Sequence, residues 1–305
     1  MKDDKPGGGF SEEGRERKRT LRPEEMRGGR PNGLFGHPTP SRPSGFEEGG
    51  ARLRLVQDRP VASGKPTRPR LSADIWEDLR RVAPGPLAEG SLDLETMCEN
   101  AVADSFDKLR TILLRELRSN GWTRIAVVAP TRGCGASFSA ANLALSFSRI
   151  PGNRTVLMDL NFRRPGLATL FDVETDCDMS GFLAGRVHLR DQIVCASENL
   201  AIGFTPAPDP RAAHLLHSDC GAVVVSDLVD QLNPEVLICD LPPMLESDDL
   251  AGFLPQIDGV LLVADAVQTL PDHITECEKR LSGQTRVLGV VLNQTRRSGP
   301  APSYA

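Results

Sequence analysis

Five short runs, at residues 125–129, 156–158, 236–239, 260–264 and 287–292, are apolar at every position rather than at alternate ones. A strand of that kind must be buried on both faces, as happens in a parallel sheet with helices packed against each side. A weaker run at 200–204 makes a sixth candidate. Between the first two runs, Ala140, Leu143, Ala144 and Phe147 fall at i, i+3, i+4 and i+7, one face of a helix. Ahead of the first run, Val102, Phe106, Leu109, Leu113 and Leu117 mark a second amphipathic helix, and Ser119-Asn120-Gly121 supplies its stop. The alternation predicts an α/β domain over 92–296, its mostly parallel sheet covered by helices on both faces and its crossovers right-handed. No internal repeat is visible.

The flanks read differently. Residues 1–70 carry 16 Lys and Arg against 10 Asp and Glu, a net of +6, and 21 of the 70 are Gly or Pro. Such a composition buries too little apolar surface to offset chain entropy, so 1–91 is predicted to be a disordered basic arm and linker. It includes an apolar patch at Ile75 and Trp76 and a break at Pro84-Gly85-Pro86. Its expected contact is anionic membrane, nucleic acid, its own acidic domain, or nothing. Residues 297–305 read as a flexible tail holding the single tyrosine, Tyr304. The rest of the chain, at net −11, counts against a DNA-binding face, so no nucleic-acid partner is expected. No apolar run is long enough to cross a bilayer, and the first ten residues lack the apolar stretch of a secretory signal. Seven cysteines, none as C-x-x-C, fit a reducing cytoplasm better than a disulfide framework or a zinc site.

The chemistry concentrates where strands end. The first run leads into Ala129-Pro130-Thr131-Arg132-Gly133-Cys134-Gly135-Ala136-Ser137-Phe138, and then a helix. A glycine-rich turn between a buried strand and a helix is where backbone N–H groups and the helix dipole can hold phosphate. Ser137 stands where a hydroxyl would meet Mg²⁺, but Ala136 stands where G-x-x-x-x-G-K-[ST] needs a lysine for the outer phosphates. The second run ends in Asp159-Leu160-Asn161-Phe162-Arg163-Arg164-Pro165, an acid and paired arginines where open α/β sheets bind ligands. A later run ends in Asp240-Leu241-Pro242-Pro243, the layout of an acid that holds Mg²⁺. His214 and His217, three apart, lack the further ligand a metal site needs, and Asp248-Asp249 suit a helix start. Cys134 puts a thiol inside the loop, an opening for redox sensitivity.

In combination these stretches resemble the bacterial tyrosine autokinases of capsule and exopolysaccharide export. That family belongs to the deviant Walker P-loop proteins, with the cell-division and plasmid-partition ATPases. APTRGCGASF, LMDLNFRRP and ICDLPP correspond to the family's S-P-T-P-G-E-G-K-S-T, L-I-D-A-D-L-R-R-P and I-I-D-T-P-P. Residues 181–185, 208–216 and 289–293 resemble its further segments, so the likeness spans about 104–295. It implies a P-loop fold in which Arg132, Gly133, Cys134, Gly135, Ala136, Ser137 and Phe138 line the nucleotide. Asp159 would be the acid nearest the transferred phosphate and a candidate base. Ser137 and Asp240 would hold Mg²⁺, and Asn293 would lie near the adenine. ATP or ADP with Mg²⁺ are the implied cofactors. A membrane polysaccharide co-polymerase that sets chain length is the implied partner, and a homo-oligomer is an open expectation. The implied location is cytoplasmic, peripheral at the inner membrane through that partner.

Four departures separate the chain from the family pattern. Ala136 replaces the lysine, and Asn161 replaces the second acid of the second motif. The oligomerisation pattern E-x-x-R-x-x-R becomes Asp104-x-x-Asp107-x-x-Arg110, and the terminal tyrosine cluster shrinks to Tyr304. Losing one charged donor at such a site costs about 3–4 kcal/mol, about 10²–10³ in rate. The leading expectation is thus a kinase-like regulator of polysaccharide export with weak or absent phosphotransfer. An active autokinase that uses Arg132 and labels Tyr304, and a positioning-type ATPase, remain open beside it.

Overall fold

The computed structural model describes residues 72–83 and 101–295. The expectations for 1–71, for the Pro84 break, for a start of order near Leu92 and for Tyr304 lie outside the described residues. In chain order the elements are α1 (Ser72–Glu77), α2 (Ala101–Asn120), β1 (Arg124–Val128), α3 (Ala136–Ser148), β2 (Thr155–Asp159), α4 (Leu167–Leu170), α5 (Met179–Leu183) and α6 (Leu189–Gln192). Then follow β3 (Ile193–Ser197), β4 (Leu200–Gly203), a 3₁₀ helix Pro210–His217, α7 (Asp219–Leu232), β5 (Val236–Asp240) and α8 (Asp249–Phe253). A short 3₁₀ turn Leu254–Gln256, β6 (Gly259–Asp265), α9 (Pro271–Leu281) and β7 (Arg286–Asn293) complete the described chain.

The strands form one sheet in the order β3-β4-β2-β5-β1-β6-β7, parallel throughout except for the antiparallel pair β3/β4. All six sequence-predicted strands are present. Residues alternate between two cores. Ala126, Val128, Leu237 and Cys239 face α7 and α9 on one side, while Ile125, Val127, Val236 and Ile238 face α2 and α3 on the other. The continuous apolar runs are therefore what a sheet covered on both sides requires. Helix α3 packs beneath the centre, and Ser139–Ser148 are all buried, more than the single face its spacing predicts. In α2 the buried residues are Ala103, Phe106, Leu113 and Leu117, whereas Val102, counted on that face, points outward. Gly121, at φ +70°, ends the helix in the left-handed conformation that glycine favours.

Three expectations need correction. The predicted disordered arm extends too far, because 72–83 is folded and docked. Trp76 and Leu79 enter the core, Trp76 Nε1 donates to the Glu198 carbonyl (3.0 Å), and Arg81 pairs with β3 at Cys195. The apolar patch at Ile75 and Trp76 was the signal, masked by the polar residues around it. Strand β3 is a seventh strand that the expectation left out, although Ile193-Val194-Cys195-Ala196 is itself an apolar run; it lies at the end of the sheet order, antiparallel to β4 and only partly buried. The run at 287–292 is not covered on both faces: β7 is the other edge strand, and its Val290 and Leu292 are exposed.

Candidate nucleotide site

The three motif-bearing strands are neighbours in the middle of the sheet, in the order β2-β5-β1. Asp159 and Asp240 are paired residues at the ends of β2 and β5, and the glycine-rich turn leaves β1 beside them. Gly133 (φ +83°) and Gly135 (φ +87°) hold left-handed conformations, and Gly135 is the N-cap of α3. That geometry sets successive backbone N–H groups around the mouth of a 13-residue helix, the arrangement that receives phosphate. Space at Gly135 is closed as well: a Cβ there would lie 2.2 Å from Asn293 Nδ2.

The two acids differ in their partners. Both are fully buried. Asp159 accepts from the backbone N–H groups of Asn161 (3.3 Å), Gly166 (3.1 Å) and Leu167 (3.1 Å), which fastens the arginine loop to the strand end. Burial outweighs those bonds and pushes its carboxyl up to about 7. Asp240 is raised well above the ordinary carboxylate range by burial first and by the Asp159 charge second. The Ser137 hydroxyl faces it and partly offsets this, but lies outside hydrogen-bond geometry, so both Asp240 oxygens lack a hydrogen-bond partner. Ser137 also packs 3.6 Å from where a Gly166 side chain would begin, so loop, Asp240 and arginine loop converge. A buried carboxylate without a partner, beside a hydroxyl and a glycine-rich turn, is a donor set that fits a hard divalent cation and a phosphate.

The other expected site residues divide into two groups. Arg132 and Gly133 are exposed on the loop, and the Ala136 methyl leaves no cation at its position. Phe138 turns away and packs edge-on against Phe106 (6.4 Å between centroids). The Cys134 thiol also points inward, to the Thr131 and Thr269 hydroxyls (3.6 and 3.5 Å), so only its backbone faces the loop. Asn293 donates to the Cys134 carbonyl (2.9 Å), and Gln294 to that of Gly133 (3.0 Å), so the end of β7 buttresses the loop. Arg163 is paired with Asp249 (2.9 Å) at the start of α8, whereas Arg164 is exposed. His214 and His217 fall on the 3₁₀ helix, and no metal-binding group of His, Cys, Asp or Glu occurs among the described residues.

Sequence reasoning missed two contributors. Glu246 reaches back to the loop and accepts from the Arg132 N–H (2.7 Å). Asp265, buried at the end of β6, accepts from Val267 N–H and Gln268 N–H and supports Thr269 beneath Cys134. An acid at the end of a third strand was the available signal for Asp265; Glu246 left none, being an ordinary surface residue type in a loop.

No protein-family model matches the chain. It is similar to CapB of Staphylococcus aureus, 21% identical over 198 residues, covering 64% of this chain and 86% of that protein. It is also similar to the tyrosine-protein kinase YwqD of Bacillus subtilis, at 24% over 176 residues, 57% of this chain and 73% of the relative. The succinoglycan biosynthesis transport protein ExoP of Rhizobium meliloti is 27% identical over 182 residues, 56% of this chain but 22% of the relative's length. Among solved structures, the kinase domain of the Escherichia coli tyrosine kinase Etk superposes with a TM-score of 0.60 at 22% identity, covering 68% of this chain and 81% of that domain. That superposition establishes the shared fold.

Proposed function

We propose, from the premise that the chain belongs to the bacterial tyrosine-kinase family of P-loop proteins, that it is a nucleotide-binding, kinase-like regulator of capsule or exopolysaccharide production with weak or absent phosphotransfer. The observation that carries this reading is the contrast at the loop. The glycines keep their special conformations, and Ser137 and Asp240 face one another, yet the residue between Gly135 and Ser137 is Ala136. Phosphoryl transfer depends on positioning and charge stabilisation, so a loop that keeps its shape and loses its cation supports binding more than catalysis. Ser137 and Asp240 would hold Mg²⁺, and the N–H groups of 133–137 the phosphates. Bound Mg²⁺ would neutralise charge on the outer phosphates.

Asp159 reads here as a positioning residue. Its oxygens are engaged by the arginine loop, which it holds against the strand end. The polysaccharide role is supported by the name of one relative, a succinoglycan biosynthesis transport protein; the membrane co-polymerase partner is what the family resemblance implies. The proposed location is peripheral at the membrane through such a partner; no helix among the described residues is long and apolar enough to cross a membrane.

Calorimetric titration with MgATP and anti-phosphotyrosine blotting of the full chain test the reading together. Micromolar binding with no labelling is expected, and labelling should emerge in Ala136→Lys. Robust labelling of the unaltered chain, lost in Tyr304→Phe, would overturn it. One observation favours that second reading, an active autokinase: the Arg132 side chain is exposed on the loop and could lend the missing charge. Arg132→Ala should then abolish labelling.

A further inference from the structure

The loop after Asp240 does not simply leave the sheet. It runs beside the phosphate loop and is laced to it: Met244 N–H donates to the Ala129 carbonyl (2.9 Å), Leu245 N–H to that of Pro130 (2.9 Å), and the Arg132 N–H donates to the Glu246 carboxylate (2.7 Å). The first two bonds fix the backbone on which Glu246 stands, so the carboxylate is held at the loop by a built connection. Glu246 is otherwise exposed, and no salt bridge neutralises it among the described residues. A fixed negative charge thus sits on an amide of a loop whose shape suits anions.

We propose that Glu246 makes this pocket favour a nucleoside diphosphate over the corresponding triphosphate. The inference rests on the nucleotide-binding reading above. Glu246 stands on the segment that follows Asp240, the proposed metal ligand, and its carboxylate is held on the Arg132 N–H of the phosphate loop. Ser137 and Asp240 would hold a metal that neutralises charge on the outer phosphates, so the terminal phosphate would lie on the Asp240 side of the loop. The third phosphate brings the nucleotide's extra negative charge toward a carboxylate, and no lysine at position 136 offsets the repulsion. The diphosphate stops short of it. Two unit charges several ångströms apart at a partly exposed site differ enough to change affinity about tenfold.

The test compares MgADP and MgATP affinities of the full chain by calorimetry at constant ionic strength, in the unaltered protein and in Glu246→Gln. Glutamine keeps an oxygen that can accept the Arg132 N–H and removes only the charge. ADP is expected to bind about tenfold more tightly than ATP to the unaltered protein. In Glu246→Gln the ratio should fall to within about twofold, through tighter ATP binding at unchanged ADP affinity. Equal affinities in the unaltered protein, or a ratio that Glu246→Gln leaves unmoved, would overturn the role of Glu246 while nucleotide binding stands. Parallel weakening of both nucleotides in Glu246→Gln would reduce the residue to a loop support and overturn it too. Absence of binding by either nucleotide, with thermal melts showing both proteins folded, would remove the nucleotide reading and this one with it.

Discussion

Asp159 and Asp240 are two buried acids at neighbouring strand ends, and their environment gives the domain a pH signature. The folded state holds both carboxyls above their value in an unfolded chain, Asp159 at about 7 against 3.8. A group raised in the folded state contributes its stability below the unfolded pKa and loses it as pH rises through the folded one. The nucleotide-free protein should therefore melt at a higher temperature near pH 5.5 than near pH 7.5. Differential scanning calorimetry would show this, and Asp240→Asn should flatten the slope by removing one buried charge. The glycines give a second residue-scale prediction. Gly133→Ala meets open space and bears only the left-handed strain, about 1–2 kcal/mol. Gly135→Ala adds a collision with Asn293, so it should cost more and also abolish nucleotide binding. Urea unfolding of the two variants would separate strain from clash. Both glycines were legible as turn residues in the sequence. That Asn293 braces one of them was not, because the contact joins positions 158 residues apart.

Among the elements, the 72–83 segment changes the reading most. Trp76 is buried, bonds to the Glu198 carbonyl, and lies under the Arg154 guanidinium at 5.2 Å. The segment also bonds to β3 through Val82 N–H to the Cys195 carbonyl and Cys195 N–H to that of Arg80, so it covers part of a sheet edge. Trp76→Ala should cost about 3–5 kcal/mol, the range for emptying a buried aromatic site. Its midpoint in urea would fall accordingly, whereas a loss below about 0.5 kcal/mol would show the segment to be a loose appendage. Helix α2 shows the opposite case, a sequence anomaly that the structure resolves. Asp107, which breaks the family's basic pattern, accepts from Ser146, Arg110 and Arg149. Burial works against its charge, and these bonds outweigh that effect and hold its carboxyl below the usual range. The reversed charge thus ties α2 to α3 within one chain.

At the scale of the whole molecule, charge separates the arm from the rest: residues 1–70 are net +6 and the remainder net −11. Any attraction of the arm to DNA is electrostatic and falls steeply with salt. Gel-shift titration should show retention at low ionic strength that vanishes at physiological salt, with no preference among sequences. Retention that survives salt would reopen the positioning-ATPase reading. The sheet itself was legible, since parallel strands covered on both sides are apolar throughout, and the chain writes that pattern in six places. The edge positions were not: that β3 adds an antiparallel strand at one edge and that β7 leaves Val290 and Leu292 exposed at the other depends on which strands pair, which composition does not record.

By itself, the sequence determined the fold class, the order of the three motifs and the absence of the loop lysine, all properties of local composition and spacing. The tertiary structure alone decided which acids are engaged and which is left without a partner, what braces the phosphate loop, and that Glu246 reaches it. Apart from the local bonds of Asp159 to 161–167, those are relations between residues more than 100 positions apart, and spacing along the chain has no means of recording them.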